Sequence, residues 1–145
     1  MYKNVLVCTD GSILAAGAIA PAMALAKAFS GRVTGISVSV PYHVLSSDPL
    51  SLTDTEDRYM ADSKRLSGQY LAAIGDAAKA AGLPYKGVHV YADHVHEAII
   101  ETAAREGCDV IVMASHGRRG ARALLLGSET VKVLTHSKIP VLVVR

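Results

Sequence analysis

At 145 residues the chain has the length of one domain, and with 50% apolar residues it can bury both faces of a sheet. A net charge of +2 with 19% charged residues excludes the broad basic surplus of a protein that works on nucleic acid or on an anionic membrane surface. Small or uncharged partners are favoured by that balance, and no apolar run approaches the roughly 18 to 20 residues that cross a bilayer.

Met1-Tyr2-Lys3-Asn4 runs straight into Val5 to Cys8, the first predicted strand, with no longer apolar stretch or cleavage site behind it. That is not a secretory signal, and a cytoplasmic protein is expected. Thr9-Asp10-Gly11-Ser12 follows as a polar turn in which Asp10 or Ser12 caps the next helix. Capping alone accounts for the turn, although a carboxylate at a strand end also suits a ribose hydroxyl or a metal carried by phosphates. One helix is predicted over 12–30, kinked where the Pro21 ring meets the carbonyl of Gly17. Val33 to Val40 reads as the second strand. Pro41 to Thr53, with two prolines and three serines, reads as a long irregular loop and a candidate lid.

Leu66, Tyr70, Ile74 and Ala78 then mark one face of a helix, and Val88 to Tyr91 the third strand. Val95, Ile99 and Ala103 mark another helix, Val110 to Ala114 the fourth strand, and Val141 to Val144 the fifth. Gly31, Gly82 and Gly107 stand where helices stop and a left-handed residue is tolerated. Strands this rich in Val and Ile are covered on both faces. Their alternation with helices implies right-handed crossovers and a doubly wound parallel sheet, with ligands beyond the carboxyl ends of strands one and four.

Cys8 falls late in its strand and Cys108 just before another, so the two sulfurs lie at different heights and read as unpaired thiols in a reducing compartment. After strand four comes Ala114-Ser115-His116-Gly117-Arg118-Arg119-Gly120, and later Gly127-Ser128-Glu129-Thr130 opens a helix. Gly117 and Gly127 let backbone N–H groups approach a ligand, and Ser128 adds a hydroxyl at a helix N-terminus that favours negative charge. Together they describe a phosphate cradle. It is not a Walker loop, because Ser128 and Glu129 stand where Lys-Ser or Lys-Thr would follow the glycine. Arg118, Arg119 and Arg122 can neutralise phosphates, though arginines in surface loops are most often merely solvated. His94 and His96, two apart on a helix, point about 200° from each other and share no ion. His116 has no evident nucleophile partner and suits a ligand-shaping role better than that of a general base.

Val5-Leu-Val-Cys-Thr-Asp-Gly-Ser12, the Met113-Ala-Ser-His-Gly117 turn, nine residues, Gly127-Ser128, and Ile139-Pro-Val-Leu-Val-Val144 resemble the universal stress protein family across residues 1–145. The resemblance implies one nucleotide-binding domain with the pattern Gly-x2-Gly-x9-Gly-Ser/Thr, here with Ala114 in the first position. It implies ATP, with Mg²⁺ or Mn²⁺, held by a regulatory or stress-response module that hydrolyses slowly or not at all and has no catalytic residue. Cys8 and Asp10 would line the pocket from strand one, and Val38 would touch adenine. Ala114, Ser115, His116, Gly117, Arg118, Arg119 and Gly120 would wrap ribose and phosphates. Ser128, Glu129 and Thr130 would close on the phosphate tail. The Ala114 methyl crowds that approach, and its presence defines the alternative, a dimeric stress scaffold that binds no nucleotide. The expected α/β topology is five parallel strands in the order 3-2-1-4-5 with helices on both faces. It leaves Val141 to Val144 at an edge, uncharged until Arg145, and a homodimer through that strand is expected.

Overall fold

Five strands pair in the order β3-β2-β1-β4-β5, every pair parallel. The computed structural model describes residues 1–43, 49–117 and 125–145, with only the backbone of 49–54. In chain order the elements are β1 (Asn4–Cys8), α1 (Ile13–Ala16), α2 (Ile19–Ala28), β2 (Arg32–Ser39) and α3 (Pro49–Ala80). β3 (Tyr85–Tyr91), α4 (Val95–Arg105), β4 (Val110–Ala114), α5 (Ser128–His136) and β5 (Val141–Val144) complete the chain. No helix among the described residues is long and apolar enough to cross a membrane.

The pleat assigns alternate residues to opposite faces. Val5 and Val7 join Val33, Val110 and Val112 beneath Ala22, Met23 and Ala26 of α2 and Ile74 and Ala78 of α3. Leu6 joins Ile36, Ile111 and Met113 beneath Ile99 and Ala103 of α4 and Val133 of α5. Each fully buried aliphatic side chain contributes about 1.5 to 3 kcal/mol. The doubly wound sheet expected from the sequence is thus the one observed.

The helix expected over 12–30 is two helices. α1 stops at Ala16, the chain turns through Gly17 and Ala18, and α2 restarts at Ile19. Pro21 then lies in the first turn of α2, where backbone N–H groups have no intrahelical acceptor to lose, so a restart replaces the kink. The expected loop over 41–53 is likewise shortened, because α3 begins at Pro49; proline at a first helical position forfeits no bond. Residues 44–48 of that loop lie outside the described residues. Gly82 and Gly107 are left-handed, at φ 70° and 66°, but after α2 that conformation falls on Ser30 at φ 51°. Gly31 is needed for space, since a β-carbon there would lie 2.8 Å from the Lys3 carbonyl oxygen.

β3 begins at Tyr85, three residues before the apolar run suggested. The Tyr85 ring lies over three glycines from three elements: β-carbons on Gly35, Gly75 or Gly87 would each come within 2.9 Å of it. Its hydroxyl donates to the Leu71 carbonyl at 2.7 Å, and burial pushes the phenol up to about 12. Cys8 and Cys108 are not joined in a disulfide.

Candidate functional site

β1 and β4 are neighbours at the centre of the sheet, and the chain leaves them toward opposite faces, into α1 and α2 from β1 and into α5 from β4. Such a reversal opens a crevice beyond the carboxyl ends. Two turns line it.

In the turn after β1, Thr9 N–H donates to the Ile36 carbonyl at 3.0 Å and ties the turn to β2. Gly11, at φ 78°, reverses the chain, and the Tyr70 ring of α3 fills the place a side chain on it would need. Asp10 Oδ1 accepts from Ser12 N–H at 3.0 Å, and Ser12 Oγ accepts from Ala15 N–H at 3.1 Å. Ser12 is therefore the helix cap, and Asp10 organises the turn that presents it. The second Asp10 oxygen, Oδ2, lies against Gly117 across the crevice.

The turn after β4 is riveted to the start of α5. Gly127 N–H donates to the Ser115 carbonyl at 2.7 Å, and Thr130 Oγ1 donates to the carbonyls of Ala114 at 3.1 Å and Ser115 at 3.3 Å. A side chain at residue 127 would be tight, since a β-carbon would lie 3.1 Å from the Ser115 oxygen. Gly127 is thus tied to the end of β4 at Ser115, two residues from Gly117. Ala114 and Ser115 are buried, and Ser115 Oγ lies 3.1 Å from His116 Nδ1. No such partner for His116 is evident in the sequence, and the serine that supplies it is buried.

Gly127 is the N-cap residue of α5 in extended conformation, φ −60° and ψ 150°, and supplies no side-chain bond to the helix. Ser128 is exposed at that first turn. Its two neighbours are turned elsewhere. Thr130 is buried on β4, while Glu129 Oε2 accepts from His96 N–H at 2.9 Å and caps α4, whose own N-cap residue, His94, makes no side-chain cap bond. Glu129 Oε1 receives Lys132 Nζ at 3.1 Å. Burial works against the Glu129 charge, but the Lys132 hydrogen bond and charge, with the His96 amide, hold its carboxyl below the usual range.

Cys8 and Val38 lie at the ends of β1 and β2, half-buried against the Leu6 face. Burial pushes the Cys8 thiol up to about 12, so it is a protonated wall and not a nucleophile. Arg118, Arg119, Gly120 and Arg122 lie outside the described residues. His94 stands at the N-cap position of α4 with extended backbone, so the 200° separation of two helical residues does not apply, and its ring centroid lies 6.3 Å from that of His96. Among the described residues no three groups are placed to hold a metal ion. Two shallow cavities, of about 240 and 220 Å³, lie away from the crevice: one between α4 and α5 beside His96 and His136, the other at the amino ends of the strands beside Arg32 and Lys86.

A sequence profile of the universal stress protein family matches residues 1–145. Universal stress protein MJ0577 of Methanocaldococcus jannaschii is 48% identical over 50 residues, 34% of this chain and 31% of that protein. Its solved structure superposes with a TM-score of 0.85 at 28% identity, covering 99% of this chain and 96% of that one. A universal stress protein solved with cAMP shares the fold at TM-score 0.71 and 24% identity, covering 99% of this chain and 97% of that one. The Archaeoglobus fulgidus universal stress protein solved with dAMP does so at 0.72 and 15%, covering 99% and 98%.

Proposed function

The chain belongs to the universal stress protein family, and from that premise we propose that its crevice binds an adenine nucleotide, ATP with Mg²⁺ or Mn²⁺ being the expected form. The protein acts as a regulatory or stress-response module and turns the nucleotide over slowly or not at all. One observation carries this reading: Gly117, whose β-carbon would meet the Asp10 carboxylate, and Gly127, whose β-carbon would press on the Ser115 carbonyl, bracket the crevice beside Asp10 and the first turn of α5. Backbone can approach a ligand closely there, and the helix terminus favours negative charge by roughly 0.3 to 1 kcal/mol. The ligands solved in two relatives of this fold, cAMP and dAMP, share adenine, a sugar and a phosphate.

In this reading Cys8 and Val38 form the apolar wall for adenine, and Asp10 takes a ribose hydroxyl or the metal on the phosphates. Gly117, Ser128 and the segment Arg118, Arg119 and Gly120 meet ribose and phosphates. Ala114, Ser115 and His116 shape the floor. Glu129 and Thr130, engaged with α4 and β4, support the first turn of α5 without touching the phosphates. The experiment is to denature the purified protein, identify any released nucleotide by mass, and measure melting with and without ATP and Mg²⁺. A ligand at about 100 times its dissociation constant adds roughly 2.7 kcal/mol to the folded state. No nucleotide and no shift overturn this reading in favour of the second one, a scaffold without nucleotide, which the buried Ala114 in place of glycine favours.

Assembly is part of the proposal. β5 is an edge strand, and Leu142 on it, with Val131 and Leu134 on α5, is 40 to 45% exposed. A second copy paired across a two-fold axis would satisfy that edge and cover those side chains.

A further inference from the structure

Glu129 joins the crevice to a cluster of imidazoles between α4 and α5. It is the acidic residue of the first turn of α5, one position beyond Ser128, and its Oε2 lies 2.9 Å from His96 N and 3.4 Å from His96 Nδ1. That ring nitrogen is buried and makes no hydrogen bond among the described residues. A buried polar nitrogen without a partner is unfavourable, and here a carboxylate stands within reach of a proton placed on it.

Among the described residues the other charged or titratable groups around this ring are few. On α4, Glu97 Oε1 lies 3.9 Å from His96 Nε2 and the His94 ring is 6.3 Å away; Glu101 lines the same groove. On α5, the His136 ring is 5.5 Å away, and Lys132 holds the far oxygen of Glu129. β2, the strand packed on α4, carries Arg32 as its one charged residue, at its amino end and away from the start of α4. Asp93, just before α4, is engaged with His43 at 2.9 Å.

We propose that nucleotide binding in the crevice is linked to protonation of His96, an inference that rests on the nucleotide reading above. A proton on Nδ1 turns the 3.4 Å approach into an ion pair and neutralises the carboxylate carried by the helix turn that faces the phosphates. With His96 neutral, Glu129 opposes an incoming anion; with His96 charged, the partial positive charge of the helix terminus acts with less opposition. Lys132 already offsets part of the Glu129 charge, so the effect is modest. Proton and nucleotide help each other, and reciprocity requires the nucleotide to strengthen proton binding by the same factor. Histidine is the side chain whose charge changes between about pH 5 and 8.

The test measures ATP affinity by calorimetry at about pH 5.5 and about pH 8 for the wild type, His96→Gln and Glu129→Gln, and follows the His96 ring by NMR with and without ATP. The ATP phosphate titrates in the same range, so the quantity read is the difference in pH dependence between wild type and variant. We expect the wild type to gain about fivefold more affinity on acidification than either variant, and ATP to raise the His96 midpoint by about 0.7 pH unit, the same factor. Should a variant not fold, the wild-type midpoint alone decides. A midpoint unmoved by bound ATP, or equal pH dependence in wild type and His96→Gln, overturns this inference and leaves the nucleotide reading standing. No ATP binding by any of the three proteins overturns the nucleotide reading, and this inference with it.

Discussion

Asp10 and Gly117 meet across the carboxyl ends of β1 and β4 so closely that a β-carbon on residue 117 would collide with Asp10 Oδ2. A side chain on residue 117 would therefore have to displace the Asp10 carboxylate. Asp10 is in turn committed to Ser12 N–H, so it cannot move aside without loosening the cap of α1.

Gly117→Ala should lower apo stability by about 1 to 3 kcal/mol, as overpacking does, and abolish the melting shift with ATP. Adding Asp10→Ala removes the collision at the cost of the Ser12 N–H bond, so the two changes should be less than additive in melting temperature and the double variant should not regain ATP binding. A Gly117→Ala protein that melts and binds as the wild type does would place Asp10 elsewhere.

Ala114→Gly, which restores the family pattern, should leave ATP affinity unchanged or improve it. Its backbone oxygen still accepts from Thr130 after the change. A clear loss of affinity by calorimetry would make the methyl part of the pocket wall.

Two glycines of α3 should respond to alanine with opposite signs. Gly68 has nothing within 4 Å of a new β-carbon, so Gly68→Ala should stabilise by about 0.5 to 1 kcal/mol through helix propensity. Gly75 lies under the Tyr85 ring, at 2.9 Å from its Cε1, and the hydroxyl bond to Leu71 keeps that ring in place. Gly75→Ala should destabilise by about 1 to 3 kcal/mol in urea unfolding, and equal effects at both sites would contradict the packing of Tyr85.

Glu106 receives the Lys86 ammonium at 2.6 Å, and that hydrogen bond, opposed by burial and aided by the charges of Lys86 and Arg105, holds its carboxyl below the ordinary 4.5. A carboxyl held low only in the folded state stabilises fully above its unfolded value and loses that contribution as pH falls through the folded one. The urea midpoint should therefore drop on acidification from about pH 6 to about pH 3, and less steeply in Glu106→Gln. Equal slopes in the two proteins would assign the acid sensitivity to other carboxylates.

Ile111 N–H and Ser115 N–H donate to the carbonyls of Pro140 and Val144, so the even-numbered residues of β5 face β4 and the backbone of Val143 faces the open edge. Val143→Pro thus removes an outward donor and leaves the internal ladder whole. Light scattering should show a dimeric wild type at micromolar concentration and a folded monomer for the variant. A monomeric wild type would refute the dimer, and an unchanged dimer in Val143→Pro would move the interface to another face.

Periodicity and punctuation are local properties, and they made the strands, their parallel alternation with helices, the two site turns and the family resemblance readable from residues such as Val110 to Ala114 and Gly127-Ser128; the strand order came with the resemblance. Local rules also misplaced some boundaries. Pro21 and Pro49 read as disruptions of structure because proline breaks helix interiors, yet each stands in a first turn, where the missing N–H has no partner to lose. The contacts that define the crevice were invisible for a different reason. Tyr70 over Gly11, Asp10 against Gly117 and Glu129 on the amide of His96 each join residues far apart in the chain. No spacing encodes such a meeting. It exists only once the parallel register puts β1 beside β4 and packs α4 beside α5, because side-chain volume and hydrogen-bond direction act between surfaces that folding alone brings together.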